Sequence, residues 1–234
     1  MTQTLDISEK DYERARKILE LANVEYALPN KKPETKSFEK KPDITNFIYV
    51  PSINLYVAKE RKFLGENWFN SHRKLQENGE RMLILPEFIE FLKHTKENYK
   101  EIYNEITEVR SPWRAELLDA DFKFKDGKLH INYNHVLDST GNLIPKNSEI
   151  LDKETLMQDK TPGISLENYI GSNHTEQGLP NKNISSGDLY YWYPRRDNNS
   201  VAWFGAGVNR AFFDCDRDLS FVYSNLGVRA VRRE

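Results

Sequence analysis

Three carboxylates at alternate positions near the C-terminal end are the first candidates for chemistry in this chain of 234 residues. Asp214, Asp216 and Asp218 have the spacing of the first three ligands of a calcium-binding loop, and hard cations prefer carboxylate oxygens. The rest of that loop is missing, because Leu219 stands where it needs glycine and Asn225 where a bidentate glutamate would close it. We therefore expect solvent-facing acids here and predict no metal site.

Cys215 is the second candidate, since it is the only cysteine in the sequence. It cannot form an internal disulfide or belong to a multi-cysteine zinc site. A nucleophilic cysteine would need one of the five histidines beside it in space, and no feature of the sequence indicates such a pair. The sequence predicts no catalytic residue and no cofactor.

The composition changes abruptly after Lys182. From Asn183 to Arg233 there is no Lys, Glu, Gln or Met, and the segment is rich in Asp, Asn, Arg, Ser, Gly and aromatic residues. Aromatic side chains give large contact areas at small rotamer cost, and small polar residues add adaptable hydrogen bonds, as in antibody binding sites. This composition favours a recognition surface, although buried strands joined by Asp- and Asn-rich turns would also exclude long charged side chains.

The missing residue types also match a filter in the genetic code. Random replacement of the adenines in the asparagine codons AAC and AAT yields Phe, Tyr, Cys, Asp, Gly, Asn, Ser and Val but never Lys, Glu, Gln or Met. The absence of those four types is what adenine-directed mutagenesis leaves behind in a variable cassette.

The same segment resembles a known family. The run DLYYWYPRRDNNSVAWF, the irregular stretch 205–223 and the ending SNLGVRAVRRE resemble variable proteins of diversity-generating retroelements, of the archaeal AvpA type. The ending Gly227-Val228-Arg229 is similar to the Gly-Phe-Arg terminus of bacterial and viral relatives, with Val in place of Phe. Upstream, RMLILPEFIEFLKHT is similar to a segment of C-type-lectin folds related to formylglycine-generating proteins.

The resemblance implies an α+β, C-type-lectin-like fold of the formylglycine-generating-enzyme-related subclass, without disulfides. It also implies a ligand-binding protein whose variable region, about residues 190–226, is diversified to recognise changing targets. Apolar residues between the variable ones are expected to pack inward as a frame: Phe204, Ala211, Leu226, Val228 and Val231. The positions expected to vary and to contact ligand are Trp203, Gly205, Gly207, Phe212, Asp214, Asp216, Asp218, Phe221 and Tyr223.

Two other functions stay open. An oxidase or hydrolase on the same scaffold would need a deep pocket with converging titratable groups. A formylglycine-generating enzyme itself would need a cysteine pair, which Cys215 alone cannot supply. The third function is a structural or assembly module that acts through an N-terminal helix.

The elements that position these residues are predicted from periodicity and turn residues. Residues 8–23 have the apolar spacing of an amphipathic helix, and the Lys-, Glu- and Pro-rich stretch that follows is typical of a solvated tether. We therefore divide the chain into an N-terminal helix and tether, residues 1–45, and one lectin-like domain, residues 46–234.

Within that domain, strand-like alternation over 46–60 precedes a helix over 66–78 that ends at Gly79. A longer helical segment begins at Pro86 and continues to Ile106. Asp126-Gly127 between alternating runs predicts a hairpin. The stretch 144–182 predicts long loops with little regular structure.

Charge and hydropathy exclude two classes of partner. The formal net charge is -2, so the chain lacks the positive field that attracts nucleic acids. No stretch approaches the roughly twenty apolar residues of a membrane span, and the N-terminal segment lacks the basic start and apolar run of a signal peptide. We expect synthesis in the cytoplasm and a ligand that is a protein or a cell-surface molecule; neither its identity nor the final location is predicted.

Overall fold

The computed structural model describes residues 14, 17, 44–195, 197 and 199–233. The chain divides into two units, Met1–Asp43 and Ile44–Glu234. Apart from Arg14 and Lys17, the helix predicted over 8–23 and the tether after it lie outside the described residues.

The described part of the second unit forms eleven strands and four helices. The strands are β1 Phe47–Val50, β2 Leu55–Lys62, β3 Arg81–Met82, β4 Arg114–Lys125, β5 Lys128–Leu137, β6 Leu143–Leu151, β7 Lys160–Ile164, β8 Leu189–Trp192, β9 Ser200–Ala206, β10 Ala211–Arg217 and β11 Leu226–Arg232. The helices are α1 Trp68–Glu77, α2 Leu85–Asn98, α3 Lys100–Thr107 and α4 Leu166–Gly171. The predicted mixture of helices and strands without a disulfide is confirmed.

All eleven strands belong to one mixed sheet, whose main path runs β1-β2-β11-β4-β9-β10-β8-β7. β3 pairs with β11, and β5 and β6 extend from β4 as a further antiparallel ladder. β11 runs parallel to β4, and β10 runs parallel to β8, while the remaining pairs are antiparallel. The C-terminal strand β11 therefore lies between two strands that occur far earlier in the chain.

Residues of β9 alternate between two apolar clusters, because successive side chains of a strand point to opposite faces of the sheet. Phe204 belongs to the cluster that contains α2, and its ring lies 5.2 Å from that of Phe88. Trp203 belongs to the other cluster, which also contains Trp68 of α1. The predicted frame residues are all buried, as expected: Phe204, Ala211, Leu226, Val228 and Val231.

A buried network of charges joins the centre of the sheet to α3. The Glu116 carboxylate accepts hydrogen bonds from Arg114 at 3.1 Å and from Arg229 at 2.8 Å. Both arginines also contact Glu105 of α3, at 3.0 and 3.2 Å. Burial alone would raise the pKa of Glu116, but the charges of Arg229 and Arg114 outweigh it and lower that pKa to about 2. Arg229, in the ending Gly-Val-Arg, is thus part of the interior.

Several predicted elements are confirmed. The hairpin between β4 and β5 turns at Asp126 and Gly127, which both have positive φ, at 50° and 73°. Such a turn matches the twist of the flanking strands. Helix α1 lies within the predicted span, and Gly79 after it has a φ of 67°.

Two predictions are wrong. The stretch 144–182 contains most of β6, all of β7 and all of α4, instead of long loops. Most of β6 is exposed, so no apolar alternation marked it as a strand. The long helix predicted from Pro86 is two helices, α2 and α3, because Tyr99 adopts a non-helical conformation with φ -141° and ψ 64°.

Candidate functional site

A cavity of about 650 Å³ lies over strands β8, β9 and β10 and the loop that precedes β11. We call it the aromatic cavity. Six of the nine predicted variable residues line it: Trp203, Gly207, Phe212, Asp214, Phe221 and Tyr223. The other lining residues are Ser111, Pro112, Trp113, Trp192, Val208, Asn209, Arg210 and Arg217. The structure therefore gathers residues from the stretch 203–223, together with Trp192 of β8 and an upstream loop, around one space.

Strand register arranges the floor of the aromatic cavity. Asp214 of β10 pairs with Trp192 of β8 on one side and with Trp203 of β9 on the other. Two residues earlier in β10, Phe212 pairs with Tyr190 and with Gly205. Residues two apart in a strand share a face, so both rows belong to the same side of the sheet. The sheet itself, and not only its loops, presents the floor residues.

Trp203 is the centre of the aromatic contacts. Its ring lies 5.9 Å from Trp113, 5.6 Å from Phe212 and 5.7 Å from Phe221. Phe221 in turn lies 4.3 Å from Tyr223. Ring contacts at these distances hold one another in place, so the aromatic cavity has a defined shape.

The aromatic run Tyr190–Tyr193 splits between the two faces of β8, as expected from strand alternation. Tyr191 is buried in the core, while Tyr190 and Trp192 are half-buried. The Arg210 guanidinium lies 4.3 Å from the Tyr190 ring centre and 6.0 Å from that of Trp192. A cation over these rings is a favourable contact that keeps its hydrogen-bond donors at the edge of the cavity.

The expectation that Asp214 faces solvent is wrong, because Asp214 is only 1% exposed. Its two carboxylate oxygens accept hydrogen bonds from Nε of Arg217 at 2.7 Å and from the backbone N–H of Asp216 at 3.0 Å. The guanidinium of Arg217 also lies over Trp203, 5.2 Å from the ring centre. A buried carboxylate needs such a partner, and here Asp214 positions an arginine on the cavity wall.

Asp216 and Asp218 do not line the aromatic cavity. Partial burial and then the hydrogen bond and charge of Asp214 raise the pKa of Asp216 to about 7. Asp218 accepts from the backbone N–H of Ser220 at 2.7 Å and from the Ser220 hydroxyl at 2.6 Å, so it closes the turn after β10. The three acids therefore make different contacts.

Gly205 is also a correction to the predicted surface, because it is buried beneath Phe212. A Cβ at this position would meet Phe212 Cζ at 2.4 Å and the carbonyl oxygen of Arg114 at 2.6 Å. Gly207, also predicted to vary, has no neighbour closer than 3.8 Å to such an atom. Of the two glycines, only Gly207 has room for a side chain.

The outer wall is more accessible than the floor. On the wall, Tyr223 is 46% exposed and Phe221 is half-buried, while Phe212 is the half-buried residue of the floor. Trp203 is only 5% exposed, and its indole Nε1 has no hydrogen-bond acceptor among the described residues. A buried donor without a partner is unfavourable, so the Trp203 indole is held here by its ring contacts and not by a hydrogen bond.

Cys215 lies on the core side of β10 and is fully buried. Burial, and then the charges of Asp214 and Asp216, raise the pKa of its thiol well above the usual range. A protonated, buried thiol is a poor nucleophile, so the residue packs like a small apolar side chain.

Sequence reasoning missed Trp113, Arg210 and Arg217 as wall residues. The two arginines stand in a segment without lysine, which was a usable signal because arginine is the cation favoured over aromatic rings. Trp113 had no such signal, since it comes from the loop before β4, about ninety residues from Trp203.

Comparison of the chain with models of protein families, with curated proteins and with solved structures gave no match. Across the described residues, every helix is too short or too polar to cross a lipid bilayer.

Proposed function

We propose that this protein binds a ligand, a protein or a cell-surface molecule, in the aromatic cavity, and that a retroelement diversifies the cavity residues to change the target. We further propose that the mixed sheet is a C-type-lectin-like fold of the formylglycine-generating-enzyme-related subclass. The absence of Lys, Glu, Gln and Met from residues 183–233 supports the proposal of a diversified binding surface. The resemblance of the upstream segment RMLILPEFIEFLKHT supports the proposed fold.

One observation carries the proposal. Of the eight positions chosen because asparagine codons reach their present types, five line one 650 Å³ cavity: Gly207, Phe212, Asp214, Phe221 and Tyr223. Cavities of roughly 300–1,000 Å³ lined by aromatic residues and a few polar groups are typical of ligand sites. The wall supplies flat apolar area from Trp203 and Phe221, and donors from Arg210 and Arg217.

The physical basis is a separation between residues that hold the fold and residues that present a surface. Phe204 and Leu226 are fully buried, whereas Tyr223 is exposed and Phe221 is half-buried. Replacement of exposed side chains changes stability little. The wall can therefore change its chemistry while the sheet stays folded.

A hydrolase on the same scaffold is supported by one feature, the raised pKa of Asp216, which suits a general acid near neutral pH. Two contacts disfavour it. Asp214, the carboxylate that does line the cavity, is already occupied by Arg217 and a backbone N–H, and Asp216 lies outside the wall. Recognition therefore agrees better with the geometry than catalysis does.

The experiment compares two libraries of the full chain displayed on yeast. One randomises Gly207, Phe212, Phe221 and Tyr223 with NNC codons, and the matched control randomises Phe204, Phe213, Leu226 and Val228 in the same way. We expect most members of the first library to resist protease and most members of the control library to be cleaved. Equal losses in the two libraries would contradict the proposal.

The first library is then selected on a panel of unrelated purified proteins. Binders whose affinity disappears when the four wall positions are reverted support recognition. A library that folds but yields no binder to any member of the panel counts against it.

The retroelement is tested separately in the genome. We expect a near-copy of the coding segment for 190–226, differing only at adenines, beside a reverse transcriptase gene. If no such copy exists, the diversification claim is wrong, while the binding claim is untouched.

A further inference from the structure

Two histidines and an aspartate meet in the interior, away from the aromatic cavity. His72 comes from α1, Asp119 from β4 and His135 from β5. One ligand atom from each lies within 4.8 Å of the other two. All three residues are buried. Two imidazoles and one carboxylate form a ligand set that suits a divalent transition-metal ion.

The candidate ligand atoms lie close together, and side-chain movement is needed before they can share an ion. Oδ1 of Asp119 lies 2.5 Å from Nδ1 of His135 and 3.6 Å from Nε2 of His72. A zinc ion binds nitrogen and carboxylate oxygen at about 2.0–2.2 Å. Ligand atoms around one tetrahedral ion are therefore roughly 3.3 Å apart, so the contact between Asp119 and His135 must open by roughly 0.8 Å, and the widest pair, within 4.8 Å, must close by up to roughly 1.5 Å.

His72 is the residue that most needs another partner. Its side chain is fully buried, and neither ring nitrogen has a hydrogen bond within the described part of the chain. A buried polar group without a partner is costly. A metal ion bound to one nitrogen of His72 would satisfy it.

The surroundings of the cluster resemble the outer shell of a metal site. The second carboxylate oxygen of Asp119 accepts the backbone N–H of His135 at 3.1 Å, which leaves Oδ1 directed at the histidines. Asp121 Oδ1 lies 3.4 Å from Nε2 of His135. Metal-bound histidines commonly direct their second nitrogen to a carboxylate in this way.

Trp68 holds both imidazoles from one side. Its ring lies 4.3 Å from that of His72 and 4.8 Å from that of His135. Its indole N–H donates to the carbonyl oxygen of Leu118 at 3.0 Å, which fixes the ring. An apolar wall of this kind excludes water and strengthens binding of a charged ion.

A small cavity lies beside Asp119. It has a volume of about 120 Å³, and Asp119 is part of its lining together with Tyr133, Glu149 and Glu176. Its carboxylates attract a cation, and its lining reaches the cluster at Asp119 alone.

We propose that His72, Asp119 and His135 bind one zinc-like divalent metal ion that stabilises the packing of α1 against β4 and β5. Asp121 is a positioning residue that orients His135. None of these residues lines the aromatic cavity, so the metal-site proposal is tested independently of the ligand-binding proposal.

The test uses the full chain after treatment with EDTA, titrated with Zn²⁺ and with Co²⁺. We expect one equivalent of each ion to bind, a visible Co²⁺ absorption band typical of nitrogen and oxygen ligands, and a melting temperature raised by about 5–10 °C at a hundredfold excess over Kd. Absence of metal uptake at micromolar concentrations would overturn the proposal.

Variants locate the ion. We expect His72→Gln to lose the Co²⁺ band, and Asp121→Asn to bind about 10–100-fold more weakly. His130→Gln, on β5 but outside the cluster, is the matched control and should bind normally. Binding that survives His72→Gln and disappears in His130→Gln would refute the assignment.

If His72→Gln does not fold, the wild-type chain still decides the question. Nitrogen-15 spectra of the histidine rings, recorded with and without Zn²⁺, should show large shifts for His72 and His135. Unchanged signals from these two rings would refute the site.

Discussion

Replacement of Gly205 by alanine is the sharpest test of where the proposed variable surface ends. Gly205 and Gly207 stand two residues apart, and codon reasoning treats them alike. The structure separates them, because a Cβ at Gly205 would lie 2.6 Å from the Arg114 carbonyl oxygen and 2.4 Å from Phe212 Cζ. At Gly207 the nearest atom would be 3.8 Å away, an ordinary contact.

The backbone contact decides the magnitude for Gly205→Ala. A Phe212 ring can rotate aside, but the carbonyl oxygen of Arg114 belongs to β4 and can move only with its strand. Overpacking of this kind costs about 1–3 kcal/mol, which lowers the melting temperature of a domain of this size by roughly 2–12 °C. Gly207→Ala should instead be neutral or stabilise by up to about 1 kcal/mol, because alanine restricts the unfolded chain.

Urea and thermal unfolding of the two variants measure this difference. In a Phe212→Ala background, Gly205→Ala should cost less than in the wild type but more than nothing, because the ring is gone and the carbonyl remains. Equal stability of Gly205→Ala and Gly207→Ala would show that the sheet yields easily at this point. Our conclusion that Gly205 must remain glycine while Gly207 can be replaced would then be wrong.

Other predictions concern the interior and the rim. Glu116→Gln should lower the free energy of unfolding by about 3–5 kcal/mol in urea, since it leaves Arg114 and Arg229 with one carboxylate fewer. Because folding lowers the pKa of Glu116 to about 2, its stabilisation is complete above the usual carboxyl pKa and is lost as the pH falls toward 2, so acid unfolding curves should be shallower in Glu116→Gln. Cys215 should react with a thiol reagent only when the protein unfolds, and rapid labelling of the native chain would contradict its burial. Tyr223→Ser should change stability by at most about 0.5 kcal/mol, and a larger loss would show that the rim helps to hold the fold.

Local sequence signals predicted the elements whose ends are set by their own turn or cap residues. The hairpin at Asp126-Gly127 needs two residues of positive φ, and these residue types tolerate it. Helix α1 stops before Gly79 for the same reason. β6 has no such signal, because among the described strands it pairs with β5 alone and most of its side chains face water. Its strand conformation is decided by pairing, which a periodicity argument cannot detect.

The sequence predicted which residues belong to the candidate site but not how deeply each of them is buried. Residue types marked the stretch from Trp203 to Tyr223, and six of its nine chosen positions line the aromatic cavity. Burial of Asp214 depends on its register with Trp192 and Trp203, which local spacing does not reveal. The His72 cluster is still harder to foresee, because its members come from three elements with no motif between them.

The central place of β11 makes the fold sensitive to truncation. A frameshift or stop codon introduced anywhere between β9 and β11 also deletes the strand that joins β2 to β4, together with Arg229. Such a truncated product would expose two unpaired strand edges and leave the interior Glu116 carboxylate without Arg229. We expect proteases to degrade it, so a truncation in this stretch removes the whole domain and not only its last strand.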